Sequence, residues 1–256
     1  MNEGEFMTKK IAMVTNVCDY AGPPAVEALV SSGFTVIGHD PSFRNAESRN
    51  RYSKEHPEVI TVEIQDPHDL ILYVYKNFKT IQVLISNDNY PAIHGPISNA
   101  DVNDLRATIE SIIIFPFRLM KSAIPVFKNQ RSGKIIFITS CRTELSLPEG
   151  SIPDIARSGA NALVKSTSLE LAPYNVPVNA IAPNYLYSEA YFPKSKFIDD
   201  PKGKAFIEDV VPVGRLGRPE EIGEIIAFLS EMKGSFQTGA IIKFSGGWPA
   251  APKRPV

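Results

Sequence analysis

The chain has 256 residues, 43% hydrophobic and 21% charged, with 27 Lys and Arg against 28 Asp and Glu for a formal net charge of −1. That supplies apolar material for one large core and no basic footprint for nucleic acid, so a small neutral or anionic partner is expected. No apolar run nears the roughly 20 residues of a membrane span and the start "MNEGEFMTKK" lacks a signal-peptide core, so a cytoplasmic protein with no membrane partner is expected.

The chain then alternates between two periods. "KIAMVTNV" and "FTVIGHD" are short β-branched apolar runs, separated by the helical stretch "PPAVEALVSSG" that stops at Gly33. This is a βαβ unit. Further strands are expected in "VITVEIQ", "IQVLISND", "GKIIFITS", "VPVNAIAP" and "GAIIKFSGG", with helices in "PHDLILYVYKNF" and "NALVKSTSLELAPY" among the segments between them. Such alternation predicts a single α/β domain over residues 1–256, a doubly wound, Rossmann-like parallel sheet with helices on both faces. Residues 1–7 are expected to stand outside it, as a disordered arm or an added tag, and "PAAPKRPV" reads as an irregular tail. Cys18 and Cys141 are too few for a disulfide framework and read as small semi-buried residues in a reduced compartment. The four histidines lack ligand spacing, so no metal is expected and surface roles suffice for them.

In such a sheet the ligand crevice lies beyond the C-terminal ends of the strands. The first junction, "TNVCDYAGPPAVEAL", stands where a dinucleotide-binding loop has Thr-Gly-x-x-x-Gly-x-Gly, whose glycines let a pyrophosphate approach the backbone. Here Thr15 stands, Asn16 replaces the first glycine and Tyr20 the second, and Gly22 alone remains. The Tyr20 ring would enter the volume that a phosphate needs, so no nicotinamide cofactor is expected. Asp40 at the end of the second strand could bind an adenosine ribose, but before Pro41 it reads as a turn residue.

Over nearly its whole length the chain resembles the short-chain dehydrogenase/reductases, and within them the halohydrin dehalogenases. Thr15, Tyr20 and Gly22 match the loop Thr-x4-Phe/Tyr-x-Gly of that family. Ser86, Asn87 and Asp88 match its Ser-Asn-Asp, and Pro183, Asn184 and Tyr185 its Pro-Asn-Tyr/Phe. The resemblance implies a cofactor-independent lyase that converts a vicinal haloalcohol to an epoxide plus halide, with small molecule and halide as partners and a homotetramer as the assembly. It further implies a halide and substrate pocket around Thr15, Tyr20, Gly22, Asn184, Tyr185, Leu186 and Tyr187. Backbone dipoles and aromatic surface suit an anion there.

The implied catalytic pattern is Ser-x12-Tyr-x3-Arg. Ser140 and Arg157 fit it, and the tyrosine position holds Pro153. Proline can neither take a proton nor donate an N–H. No tyrosine occurs between Tyr90 and Tyr174, so no slip of register restores one. Ser151 and Asp154 are spaced as a helix N-cap and its acidic partner, and Asp154 is expected to pair with Arg157 three residues on. Cys141 should turn to the far face of its strand, while Tyr185 and Tyr187 could reach inward but read first as pocket lining. Three functions compete: the lyase with a displaced or absent base, a catalytically silent relative that binds a small molecule or a subunit, and a nicotinamide-dependent oxidoreductase, for which Tyr20 and the missing Tyr/Lys pair are the obstacles.

Overall fold

A computed structural model describes residues 10–251; the expectation for residues 1–7, and the end of the tail, lie outside the described residues. Seven parallel strands form one sheet in the order β3-β2-β1-β4-β5-β6-β7. They are β1 (Lys10–Val14), β2 (Phe34–His39), β3 (Val59–Val62), β4 (Val83–Ser86), β5 (Lys134–Ile138), β6 (Val178–Pro183) and β7 (Ile241–Phe244). Strand order reverses between β1 and β4. The crevice therefore opens at their C-terminal ends.

The strands read as unbroken apolar runs because both faces are covered. Ala12, Val14, Val83, Ile85, Ile136 and Ile138 point to one side, where they meet Ala25 and Leu29 of α1 (Gly22–Ser31) and Ile222 and Ile226 of α9 (Pro219–Glu231). The alternate residues Ile11, Met13, Leu84, Ile135 and Phe137 point to the other. There they pack on α3 (Pro67–Phe78), α5 (Phe115–Gln130) and α6 (Ser151–Leu171). A one-residue slip in any strand would exchange the two sets. The remaining helices are α2 (Ala46–Glu55), α4 (Val102–Ile109), α7 (Lys194–Phe197) and α8 (Pro201–Val210). Between α4 and α5 the chain makes a wide π turn over Glu110–Ile114, from which the Ser111 hydroxyl donates to the Asn89 carbonyl at 2.8 Å. This ties α4 to the crevice.

Several strands are shorter than the apolar runs predict. β1 stops at Val14 because Asn16 bends into the left-handed region at φ 50°, and β3 stops at Val62. α6 begins at Ser151, but its N-cap is Gly150 and no side chain caps it, so the expected Ser151 cap is corrected. Asp154 is also turned elsewhere: Arg142 Nε donates to its Oδ1 at 2.5 Å, from the short 3-10 turn Arg142–Glu144 that follows β5. The histidine expectation fails for His39, which is 1% exposed and stacked on Phe115 at 5.4 Å, with neither ring nitrogen bonded. Cys141 is buried and Cys18 exposed, both free. Among the described residues no helix is long and apolar enough to cross a membrane.

Candidate functional site

The loop between β1 and α1 keeps the backbone shape of a glycine-rich turn without its glycines. Asn16 and Tyr20 both hold positive φ, 50° and 55°, a region that side chains tolerate poorly. Gly22 remains for want of space: a Cβ there would lie 2.2 Å from the Asn16 carbonyl oxygen. What has changed is the supply of free amides. The N–H groups of Val17 and Gly22 donate to the carbonyls of His39 and Asp19, and that of Asp19 to the carbonyl of Asn16. Those of Cys18 and Tyr20 donate to the carboxylates of Asp40 and Asp19. A pyrophosphate needs such donors unclaimed.

Beneath the loop lies a carboxylate. Asp88 is 4% exposed; its Oδ1 accepts from Thr15 Oγ1 at 3.0 Å and from Asn16 Nδ2 at 2.9 Å, and its Oδ2 from Ser86 Oγ. Burial pushes its pKa up to about 6 against the pull of those donors and of Arg157. A buried acid, claimed amides and a tyrosine in place of glycine do not fit a nicotinamide dinucleotide. Asp40 is the turn residue that the sequence predicts, accepting from the N–H and the hydroxyl of Ser42.

Across from this loop a cavity of about 500 Å³ is walled by Tyr20, Ser140, Pro153, Arg157, Asn184, Tyr185 and Leu186, among others. The β5 end positions Ser140 and the first turns of α6 position Pro153 and Arg157, one helical turn apart. Ser140 Oγ donates to the Pro183 carbonyl at 3.0 Å and accepts from the Arg142 amide at 3.2 Å. Arg157 is 5% exposed; Nη1 donates to the Asp88 carbonyl at 3.3 Å and Nη2 to the Tyr191 hydroxyl at 2.9 Å. Thus the expected Asp154–Arg157 pair is replaced by Asp154–Arg142, and a phenol meets Arg157 from the loop after β6.

That phenol is firmly held. Tyr191 Oη donates to the Tyr90 carbonyl at 2.7 Å and accepts from the Tyr90 amide at 3.2 Å, while its ring meets Tyr20 edge-on at 4.9 Å between centroids. Burial pushes the Tyr20 phenol well above its ordinary value, with Arg157 pulling the other way, so it stays protonated. Burial likewise raises Cys141 to about 11, which removes the thiol as a base.

The sequence-predicted residues divide into two groups. Tyr20, Ser140, Pro153, Arg157, Asn184, Tyr185 and Leu186 share the cavity. Thr15 and Gly22 do not line it and act beneath it, one holding Asp88 and the other admitting α1. Tyr187 turns away and donates to Glu189 at 2.8 Å. Tyr191, Arg142 and Lys196 line the cavity and went unread; "EAYFPKSK" follows no periodicity that would have marked two of them. Among the described residues no group of acids, histidines and cysteines could hold a metal.

The family described as enoyl-(acyl carrier protein) reductase matches residues 22–249. The chain belongs to the short-chain dehydrogenase/reductase superfamily. An uncharacterized oxidoreductase of Bacillus subtilis is 26% identical over 246 residues, covering 93% of this chain and 98% of that one. A 3-oxoacyl-[acyl-carrier-protein] reductase of Buchnera aphidicola is 28% identical, covering 94% and 97%. Among solved structures, a halohydrin dehalogenase bound to ethyl (2S)-oxiran-2-ylacetate is 33% identical, with a TM-score of 0.92 over 96% of this chain and all of that one. A structure described as a dehalogenation enzyme is 30% identical, with a TM-score of 0.89.

Proposed function

We propose that this is a small-molecule-binding member of the superfamily built on the halohydrin dehalogenase plan, with no nicotinamide and with weak capacity for haloalcohol-to-epoxide conversion. The observation that carries the reading is Tyr20, whose ring stands 5.9 Å from the Arg157 guanidinium in a loop where the amides of Val17 to Tyr20 and of Gly22 are all engaged by protein oxygens. In the implied reaction Ser140 hydrogen-bonds the substrate hydroxyl, its proton passes to a base, the alkoxide oxygen attacks the neighbouring carbon, and halide leaves with the electrons of the carbon–halogen bond. Pro153 provides no base. The Tyr191 phenol beside Arg157 is held by Tyr90 on its donor and acceptor sides alike, and Ser140 is engaged with Pro183. Turnover is accordingly expected to be slow. Pro153→Tyr should raise bromide release from a vicinal bromoalcohol by roughly 10²-fold or more, the scale of general base catalysis. A folded variant with no gain in rate would overturn the dehalogenase plan in favour of a silent binding protein.

A second reading, a nicotinamide-dependent oxidoreductase, is favoured by the matched reductase family and by the names of the sequence relatives. Titration of NADH and NADPH followed by their fluorescence separates the two, since saturable micromolar binding would sink the first. We extend the proposal to a homotetramer in the cytoplasm. Leu169 on α6 and Phe228 on α9 are 78% and 64% exposed, on helices suited to pair across two-fold axes. Sedimentation equilibrium of wild type and Phe228→Asp would test it.

A further inference from the structure

Arg157 is a buried cation with no carboxylate in ion-pair contact; the Asp88 carboxylate acts on it from beyond that distance. Its protein contacts are two uncharged oxygens, the Asp88 carbonyl and the Tyr191 hydroxyl, which occupy two of the five N–H donors of a guanidinium. Among the described residues no carboxylate stands within ion-pair distance of it. The neighbouring Asp88 carboxylate is taken up by Thr15, Asn16 and Ser86. A guanidinium cannot relieve burial by losing its proton, so burial of this kind is stable where a counter-ion completes it.

The cavity in front of Arg157 supplies the space and the sign. Its walls include two more cations, Arg142 and Lys196, and no Asp or Glu among the described residues. Arg142 is paired with Asp154 through Nε, with its buried Nη2 left unpartnered, and Lys196 is exposed, so Arg157 is the buried cation of the wall that has no carboxylate partner. The other walls are mostly apolar or aromatic, Ile93, Ile112, Tyr185, Phe192 and Phe206 among them, with His94, Thr108, Ser140 and Asn184 as uncharged polar residues. A planar guanidinium fork matches a carboxylate in two parallel hydrogen bonds, and aromatic walls suit an apolar body.

We infer that the cavity takes a small organic carboxylate, its carboxylate on Arg157 and its apolar body against the aromatic wall. The inference rests on the proposed reading of the crevice as a small-molecule site without nicotinamide, and names the ligand class. The test is calorimetric titration of 4-phenylbutyrate and of its uncharged analogue 4-phenylbutanamide into wild type, Arg157→Met and Tyr191→Phe. The acid should bind wild type roughly tenfold to a hundredfold more tightly than the amide, the range of a charge-assisted hydrogen bond. That preference should vanish in Arg157→Met and persist in Tyr191→Phe, which keeps the cation. Equal binding of acid and amide by wild type would overturn the inference even if Arg157→Met does not fold, as would an acid preference that survives in a folded Arg157→Met. Saturable NADPH binding that the acid competes away would instead overturn the underlying reading, so the two failures are distinguishable.

Discussion

The β1 and β4 ends of the crevice and the β5 and α6 side facing them treat charge in opposite ways. At β1 and β4 the buried carboxylate of Asp88 meets three donors, and the amides of Val17 to Tyr20 and of Gly22 in the loop above it are claimed by protein oxygens. Across the cavity the buried guanidinium of Arg157 meets only uncharged oxygens. The first half is completed by the chain itself, in the space where the superfamily's glycine-rich loop would receive phosphate. The second half is left for a guest. Structure-building and ligand-building parts of one crevice thus differ in whether their charges are matched from within.

The strongest blow to the first half should be Asp88→Ala. It strands the donors of Thr15, Asn16 and Ser86 in a buried site, each costing on the order of 1–3 kcal/mol when unpaired. A loss of about 3–5 kcal/mol in a urea unfolding series is expected, with Asp88→Asn milder because its amide oxygen still accepts. A loss below about 1 kcal/mol would mean that the network is not what holds the loop.

A smaller effect separates two buried groups of the same half by pH. Burial depresses His39 from 6.5 to about 4, so between those values the unfolded chain takes up a proton that the folded chain refuses, and stability falls as pH falls. Asp88 is raised from 3.8 to about 6, so over nearly the same window the folded chain takes up the proton and stability rises as pH falls. The two contributions oppose each other. His39→Phe, which keeps the stacking partner for Phe115, should therefore gain on wild type by about 1.4 kcal/mol per pH unit between pH 6.5 and 4, up to about 3 kcal/mol. Parallel stability curves for the two proteins would show that His39 is not buried neutral.

The contrast also explains what could be read from the sequence. The sheet was legible because its order follows from local patterns: apolar runs buried on both faces, punctuated by Gly33 and by the prolines that start α1 and α3. The composition of the first loop was legible because Tyr20 stands where a short spacing rule demands glycine. Partnerships of charge were not. Asp154 and Arg157 are neighbours on α6, yet Arg142, twelve residues upstream in a short 3-10 turn, is the residue that pairs with Asp154. Tyr191 meets Arg157 across 34 residues, through a loop with no periodicity. His39 reads as the polar end of a strand, and only the packing of Phe115 over it shows that the strand is buried to its last residue.

The gentlest test concerns halide. The expected halide pocket drew on two loops, but the amides of Val17 to Tyr20 and of Gly22 are already engaged, and so are those of Asn184, Tyr185 and Tyr187. A halide is then expected to rest chiefly on side chains at the cavity wall, the Asn184 amide and the rings of Tyr20 and Tyr185. These are weak, polarisable contacts that favour a large, poorly hydrated anion. Bromide should accordingly stabilise the protein against heat more than fluoride at equal ionic strength, by about 1.4 kcal/mol at ten times its dissociation constant. Asn184→Ala should remove the difference, because the amide is the one neutral N–H donor in that set, while Asp88 and its partners stay in place. Equal shifts by bromide and fluoride in wild type would leave the cavity to carboxylates alone, and the matched half of the crevice would then have lost the halide along with the phosphate.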